Sequence, residues 1–141
     1  RLQDSFNSDR FTYAGFDLAK SPIAYCERNY TKKGAQFYLN GIPTEMADYS
    51  VMSGTFNYAP GITVEAWKDY LFTTLNSIWN LTRCSMIFNL MISEEDKITS
   101  QSISYIRQET ILNFCQSNFG VTCEYFSSKL PREITFCVIK T

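Results

Sequence analysis

Residues 63–80 read TVEAWKDYLFTTLNSIWN and carry the clearest secondary-structure signal of the chain. Thr63 belongs to the residue types that cap helices, and Glu65 lies in the first turn, where the helix dipole favours an acid. Apolar side chains then recur at steps of three and four residues, which is the period of an amphipathic helix. They are Val64, Trp67, Leu71, Leu75 and Ile78. The stretch therefore predicts a helix that packs its apolar side against the core.

Downstream of this helix the pattern changes to that of a strand, a second helix and a hairpin. Cys84–Ser93 is rich in β-forming residues and apolar on both faces, which is typical of a strand in the middle of a sheet. The spacing predicts a second helix over about Thr99–Asn118, with Gly120 placed to end it. The last two strands, Val121–Phe126 and Ile134–Lys140, would form a hairpin. Because a helix joins the first strand to the hairpin, we expect a parallel crossover, with the final strand as an antiparallel neighbour.

The first 61 residues are rich in aromatic side chains interleaved with glycine and proline, which is typical of short strands and turns. The candidate strands are Thr12–Leu18, Ile23–Cys26 and Gln36–Leu39. Asn40-Gly41 is a strong turn signal, although the Ile-Pro that follows argues against a strand directly after it. We expect this half either to extend the sheet or to wrap around it.

Length and composition predict a single domain over residues 1–141. A chain of 141 residues has the commonest domain size, and it contains no internal repeat, low-complexity tract or linker. Residues 1–61 supply the aromatic- and turn-rich part, and residues 62–141 have the order α-β-α-β-β. The predicted fold class is α+β: two helices packed on a mixed, mainly antiparallel sheet with a C-terminal β-hairpin, stabilised by disulfide bonds.

Five cysteines without a Cys-x-x-Cys pair favour disulfide bonds over a metal site. We expect Cys115 to bond to Cys123, which would tie the end of the second helix to the next strand, and Cys26 to bond to Cys84. A hairpin symmetric about its loop would instead place Cys123 opposite Cys137, so this competing pair stays open. Disulfide bonds indicate a secreted or periplasmic protein, whereas buried, reduced cysteines would indicate a cytoplasmic one.

Charge and hydropathy disfavour several classes of partner. A formal net charge of -1 gives no basic field, so nucleic acid and anionic membranes are poor partners. The longest apolar run, Met86–Ile92, is far shorter than the roughly 20 residues of a transmembrane helix. The N-terminus shows no signal-peptide pattern, as expected of a cytosolic protein or of a chain whose leader has been removed.

The chain contains no histidine. This absence removes Ser-His-Asp and Cys-His catalysis, histidine general bases and metal sites that need imidazole. Glu65 and Asp69 would share a helix face with the spacing of a carboxylate pair, yet acids near a helix N-terminus are typical partners of the dipole. An enzyme that uses carboxylate, Tyr or Lys chemistry is therefore the alternative hypothesis and not the leading one.

By exclusion, the sequence favours a non-catalytic extracytoplasmic module that binds another protein, of the inhibitor, immunity, adhesion-component or secreted-effector type, with no cofactor and no metal. Its predicted contact surface is the loop Gly54–Gly61, where aromatic residues make good anchors. The binding residues would be Phe56, Asn57 and Tyr58, and the acidic alternative is Glu94, Glu95 and Asp96. A histidine-free enzyme and a cytosolic binding protein with reduced cysteines are the other hypotheses.

Overall fold

The computed structural model describes residues 11–30, 35–127 and 129–140. The chain divides into two units, Arg1–Pro43 and Thr44–Thr141. No helix in the described ranges has the length and hydropathy needed to cross a membrane.

The first unit is a βαβ unit. Strand β1 (Tyr13–Asp17) leads into helix α1 (Lys20–Tyr30), which returns the chain to strand β2 (Ala35–Leu39), and the two strands pair in parallel. Parallel neighbours need a crossover connection of this kind. Gly15 leaves room for the Phe37 ring of the neighbouring strand, which would lie 2.8 Å from a Cβ atom at that position.

Two of the three strands predicted in this unit are confirmed, since β1 lies within Thr12–Leu18 and β2 coincides with Gln36–Leu39 to within one residue. The strand predicted at Ile23–Cys26 is wrong, because these residues lie inside α1. Pro22 suits the first turn of a helix, where a backbone N–H has no partner in the helix. Ile23 is the buried residue of α1, so its apolar side chain marks the inner side of a helix.

The second unit contains a four-stranded sheet, two helices and a small two-stranded sheet. Its elements are β3 (Ala47–Met52), α2 (Val64–Asn80), β4 (Thr82–Met91), β5 (Lys97–Ile98), β6 (Ser104–Tyr105), α3 (Gln108–Asn118), β7 (Thr122–Ser127) and β8 (Leu130–Ile139). The strand order of the larger sheet is β3-β4-β8-β7. β3 and β4 run parallel and are joined by α2, whereas β8 is antiparallel to both β4 and β7. The unit therefore begins with a second βαβ connection.

Both helices of the second unit pack on one face of the larger sheet. Buried side chains of the helices and of β4 and β8 form one apolar core, which includes Trp67, Leu71, Leu75, Ile78, Ile111, Cys115, Met86, Phe88, Leu90, Ile134, Phe136 and Val138. Along β8 these residues alternate with others that point away from the helices. On this outer face of the sheet, Tyr49 and Val51 of β3 are 66% and 68% exposed.

The helix predicted from residues 63–80 is confirmed together with its cap. Thr63 Oγ1 accepts a hydrogen bond from the Ala66 N–H at 3.2 Å, and α2 begins at the residue after Thr63. The strand predicted at 84–93 is confirmed as β4, an interior strand between β3 and β8. The hairpin is confirmed as β7 and β8, and its register places Cys123 opposite Cys137.

The second predicted helix is shorter than expected. Only residues 108–118 form α3, and the residues before it form the small sheet of β5 and β6. Thr99 makes the turn between these two strands, because its carbonyl oxygen accepts from the Ser102 N–H at 2.9 Å and its Oγ1 accepts from the Ile103 N–H at 3.1 Å. Short hydroxyl side chains that bond the backbone in this way compete with helix formation.

Strand β3 is absent from the sequence-based prediction, and its presence changes the fold class. It pairs in parallel with β4 across α2, as β1 pairs with β2 across α1. β8 lies between β4 and β7 and is antiparallel to both, so β4 and β7 run parallel, as we expected, with the final strand between them. The prediction of an α+β domain with two helices on a mainly antiparallel sheet is therefore wrong. The described residues form a mixed α/β fold with three helices.

The predicted disulfide bonds are also wrong, because all five cysteines are free thiols. Cys115 is buried in the core between the helices and the sheet, whereas Cys123 lies opposite Cys137 on strands β7 and β8. Cys26 is half-buried in α1, and Cys84 is exposed on β4. The fold is therefore stabilised by its apolar core and not by cross-links.

Candidate functional site

In open sheets with parallel strands, ligands bind beyond the carboxyl ends of the strands. The carboxyl end of β1 is Asp17 in the first unit. In the second unit, the carboxyl end of β3 leads into residues 53–61 and that of β4 leads into residues 92–96. Both segments predicted to bind a partner thus follow the carboxyl end of a parallel strand.

The loop after β3 is built around a buried aromatic residue. Phe56 is only 1% exposed, and its carbonyl oxygen accepts hydrogen bonds from Trp67 Nε1 at 3.0 Å and from Ser104 Oγ at 2.6 Å. Tyr58, by contrast, is 64% exposed. Of the predicted aromatic anchors, Phe56 therefore fixes the loop to the core, and Tyr58 is the ring available to a ligand.

Asn57, the third predicted residue of this loop, belongs to a polar cluster with two residues that the sequence did not single out. Asn89 Nδ2 donates to Glu133 Oε1 at 2.8 Å, and Asn57 Nδ2 donates to the same oxygen at 3.4 Å. Asn89 Oδ1 accepts from the Gly54 N–H at 2.6 Å. Asn57 Oδ1 is buried and has no partner in the described part of the chain. Such an unpaired oxygen costs about 1–3 kcal/mol.

The three acids predicted after β4 have separate surroundings. Glu95 is exposed and lies 3.4 Å from the Lys97 ammonium. Glu94 borders a depression of about 510 Å³ that also includes Arg107 and Gln108. Within the described ranges, no group of three acids or cysteines is placed to hold a metal ion.

Asp96 is the one of these acids that organises its surroundings. Its side chain accepts from Lys68 Nζ at 2.5 Å and from the Arg107 N–H at 2.8 Å. Burial alone would raise the pKa of Asp96, but these two hydrogen bonds and the positive charges of Lys68 and Arg107 outweigh it and lower the pKa. Asp96 is therefore a carboxylate that joins α2 to the start of α3.

The carboxylate pair considered from the sequence lies beside this ion pair. Glu65 and Asp69 line a depression of about 350 Å³ together with Lys68 and Asp96. The ammonium of Lys68 is bound to Asp96, so it balances one negative charge of this group. The depression thus contains three acidic side chains and one cation, Lys68, which is already paired with Asp96. Among the described residues, no other side chain that could act as a nucleophile lines it.

Asp17, at the carboxyl end of β1, is a candidate that the sequence reasoning missed. Its Oδ1 accepts from the Ala19 N–H at 2.8 Å, which shapes the turn between β1 and α1. The signal that could have found it is an acid at the end of an aromatic strand, followed by Pro22 in the first turn of a helix. With residues 23–26 predicted as a strand instead of a helix, the sequence gives no reason to place Asp17 at the turn between a strand and a helix.

No protein-family model and no curated protein matches this chain. Solved structures do match its fold. One is magnesium protoporphyrin IX methyltransferase from Synechocystis PCC 6803 with bound S-adenosylhomocysteine, at a TM-score of 0.69 and 7% identity over 92% of this chain. The fold resembles that of S-adenosylmethionine-dependent methyltransferases.

A second similar structure is 1,6-didemethyltoxoflavin-N1-methyltransferase from Burkholderia thailandensis, with bound 1,6-didemethyltoxoflavin and S-adenosylhomocysteine. It matches 100% of this chain at a TM-score of 0.62 and 11% identity. The chain spans 64% of the length of the Synechocystis enzyme and 66% of the length of the Burkholderia enzyme. At sequence identities of 7% and 11%, the structural similarity establishes the fold alone.

This likeness contradicts the predicted non-catalytic module, because the two similar structures are methyltransferases. It also contradicts the prediction of another protein as the partner, since the molecules bound in those structures are small. The expected disulfide bonds were the reason for predicting a secreted protein, and the free cysteines remove that reason. The extracytoplasmic location itself stays a prediction.

Proposed function

We propose that this chain carries part of the cofactor site of an S-adenosylmethionine-dependent methyltransferase that acts on a small molecule. The observation that supports this most is the likeness to magnesium protoporphyrin IX methyltransferase, at a TM-score of 0.69 over 92% of the chain. A match of that extent includes residues of both units. Each unit contains a pair of parallel strands, and ligands of such folds bind beyond the carboxyl ends of the strands.

The absence of histidine is compatible with this reaction. When bound, S-adenosylmethionine supplies a methyl group that its sulfonium sulfur has already activated. With cofactors that carry the reactive group, the protein binds, orients and excludes water. No side-chain nucleophile or imidazole base is needed to activate the methyl group, so the missing histidines exclude common hydrolase designs but not methyl transfer.

Asp17 fits the ribose of such a cofactor. In doubly wound nucleotide-binding folds, an acid that follows a strand accepts hydrogen bonds from ribose hydroxyls. Asp17 is exposed at the carboxyl end of β1, within a βαβ unit. Its Oδ1 is engaged by the Ala19 N–H, and its Oδ2 has no partner among the described residues. One carboxylate oxygen thus shapes the turn while the other can accept from a hydroxyl group.

A small-molecule methyl acceptor agrees with three observations. Both similar methyltransferases act, by their names, on small molecules: magnesium protoporphyrin IX and 1,6-didemethyltoxoflavin. The net charge of -1 provides no basic surface for a nucleic acid substrate. The exposed Tyr58 ring beside β3 is suited to stacking against a flat acceptor.

Isothermal titration calorimetry of the purified chain with S-adenosylhomocysteine tests the proposal. We expect saturable binding with a dissociation constant between about 1 µM and 1 mM, the usual range for enzyme ligands. NAD is the matched control, because other doubly wound folds bind it at the same strand ends. Absence of heat with S-adenosylhomocysteine, or equal affinity for NAD, would contradict the proposal.

A further inference from the structure

Asn89 connects the loop after β3 to the last strand of the second unit. Its Oδ1 accepts from the Gly54 N–H at 2.6 Å, and its Nδ2 donates to Glu133 Oε1 at 2.8 Å. Glu133 lies on β8, opposite Met91 near the carboxyl end of β4. One amide side chain therefore fixes the first residue of the loop turn to the sheet.

The turn is held at its other end by the same carboxylate. The Asn57 N–H donates to the Gly54 carbonyl oxygen at 3.4 Å, which closes a turn over residues 54–57. Asn57 Nδ2 then donates to Glu133 Oε1 at 3.4 Å. Between these ends, the Phe56 carbonyl is fixed by Trp67 and Ser104. Within the turn, Gly54 is thus hydrogen-bonded to β4, Phe56 to α2 and β6, and Asn57 to β8.

Stability alone does not explain the cluster of Asn57, Asn89 and Glu133. Asn57 Oδ1 is buried without a partner in the described residues, and both amides share one oxygen of Glu133. Replacing Asn57 by an apolar side chain would remove the unpaired Oδ1, and Glu133 Oε1 would keep its hydrogen bond from Asn89 at 2.8 Å. What the amides do provide is a defined conformation of residues 54–57, where Gly54 has a φ of 71° that few other residues adopt.

We propose that Asn89 and Glu133 are positioning residues that hold residues 54–57 in the conformation that receives S-adenosylmethionine. This inference rests on the proposed function, because it assigns the loop after β3 to the cofactor site. Glu133 acts through its negative charge and its acceptor oxygen, and Asn89 acts by bridging Glu133 and Gly54. Neither residue needs to touch the cofactor.

The test compares two readouts in the same variants. Amide hydrogen exchange at Gly54 reports the order of the turn without any ligand, and calorimetry reports the affinity for S-adenosylhomocysteine. Asn89→Ala removes both hydrogen bonds of the bridge, so we expect faster exchange at Gly54 and about tenfold weaker binding. Glu133→Gln removes the negative charge but keeps an acceptor oxygen for Asn89, so it should lie between the wild type and Asn89→Ala in both readouts. Thr135→Val, opposite Asn89 on β8, is the matched control.

Asn57→Leu separates positioning from stability. We expect this variant to unfold at the same or a higher urea concentration than the wild type, and yet to bind S-adenosylhomocysteine more weakly. If Asn89→Ala speeds exchange but leaves the affinity unchanged, the inference is overturned while the proposed function stands. If the wild-type chain itself does not bind, both are overturned.

Discussion

Cys123 and Cys137 lie directly opposite each other on strands β7 and β8, and both are free thiols. Cys137 Sγ is 3.2 Å from Ser85 Oγ of the neighbouring strand β4. Both cysteines are half-buried, while Cys84 is exposed and Cys115 is fully buried. The thiols of this chain therefore span the range from solvent to core.

Alkylation with iodoacetamide at about pH 8 should modify these thiols in the order of their exposure. We expect Cys84 to react fastest in the folded protein. Cys115 should react only after unfolding, because burial raises the pKa of its thiol to about 12 and shields the sulfur. Mass spectrometry of digested samples measures each site. Equal rates at Cys84 and Cys115 in the folded chain would contradict this, as would fewer than five alkylated cysteines after unfolding without reductant.

Substitution of Asp17 should weaken cofactor binding more than it weakens the fold. Asp17→Ala removes a carboxylate acceptor, and hydrogen bonds to charged groups contribute about 1.5–3 kcal/mol, so we expect S-adenosylhomocysteine to bind roughly 10- to 150-fold more weakly. Asp17→Asn keeps an acceptor for the Ala19 N–H and should have an intermediate affinity. Calorimetry measures both variants. Glu45→Ala, at another exposed acid, is the control and should bind as the wild type does.

The elements that the sequence predicts correctly are long and strongly patterned. α2 has 17 residues and a capping Thr63, and β4 has 10 residues, of which Met86–Met91 are apolar apart from Asn89. β3 has only six residues, and although Ala47–Val51 alternates apolar and polar side chains as a strand does, Ile42-Pro43 shortly before it argues against a strand. Its pairing depends on β4, where Ser50 Oγ lies 2.7 Å from Thr82 Oγ1. Tertiary context thus overrides a weak local preference.

The candidate site is harder to predict because it depends on topology. Asp17 gains its importance from lying at the end of a parallel strand, which becomes visible only once α1 is placed between β1 and β2. Glu133 reaches Asn89, 44 residues earlier in the chain, only through the register of β8 on β4. Asn57 was predicted as a contact residue, and its location in the polar cluster could not be read from the neighbouring sequence.

Acid should remove the contribution of Asp96 to stability. Its pKa lies below the ordinary value of 3.8 in the folded chain, so the stabilisation is present above about pH 4 and is lost as the pH falls through the folded-state value. We expect Asp96→Ala to lower the free energy of unfolding by about 2 kcal/mol at pH 7, and by less at lower pH. Urea unfolding from pH 7 down to about pH 3 measures the difference.

Asp48→Asn is the matched control for this pH dependence. Asp48 forms an ion pair with Arg83 at 3.0 Å, but their side chains are 62% and 53% exposed. Exposed pairs of this kind contribute about 0–1 kcal/mol. Asp96→Ala should lower the free energy of unfolding by more than Asp48→Asn does, and its effect should become smaller in acid. If either expectation failed, the assignment of Asp96 as the ionised link between α2 and α3 would be wrong.

Trp67→Phe should destabilise the chain more than Trp79→Phe does. Trp67 is 2% exposed, and its Nε1 donates to the Phe56 carbonyl at 3.0 Å, so a phenyl ring leaves a cavity and removes one bond of the loop. We expect a loss of about 2–3 kcal/mol. Trp79 lies at the edge of the core, where Lys140 Nζ is 4.8 Å from its ring centre, so its loss should be about 1 kcal/mol.

Urea unfolding followed by circular dichroism compares these two tryptophan variants without relying on their fluorescence. The remaining hydrogen bond from Ser104 Oγ to the Phe56 carbonyl should keep the loop folded in Trp67→Phe, so its slope against urea should match the wild type. Adding Ser104→Ala removes the second donor and should destabilise by more than the sum of the single changes, because the buried carbonyl then has no partner. Additive losses would show that Trp67 contributes through packing alone.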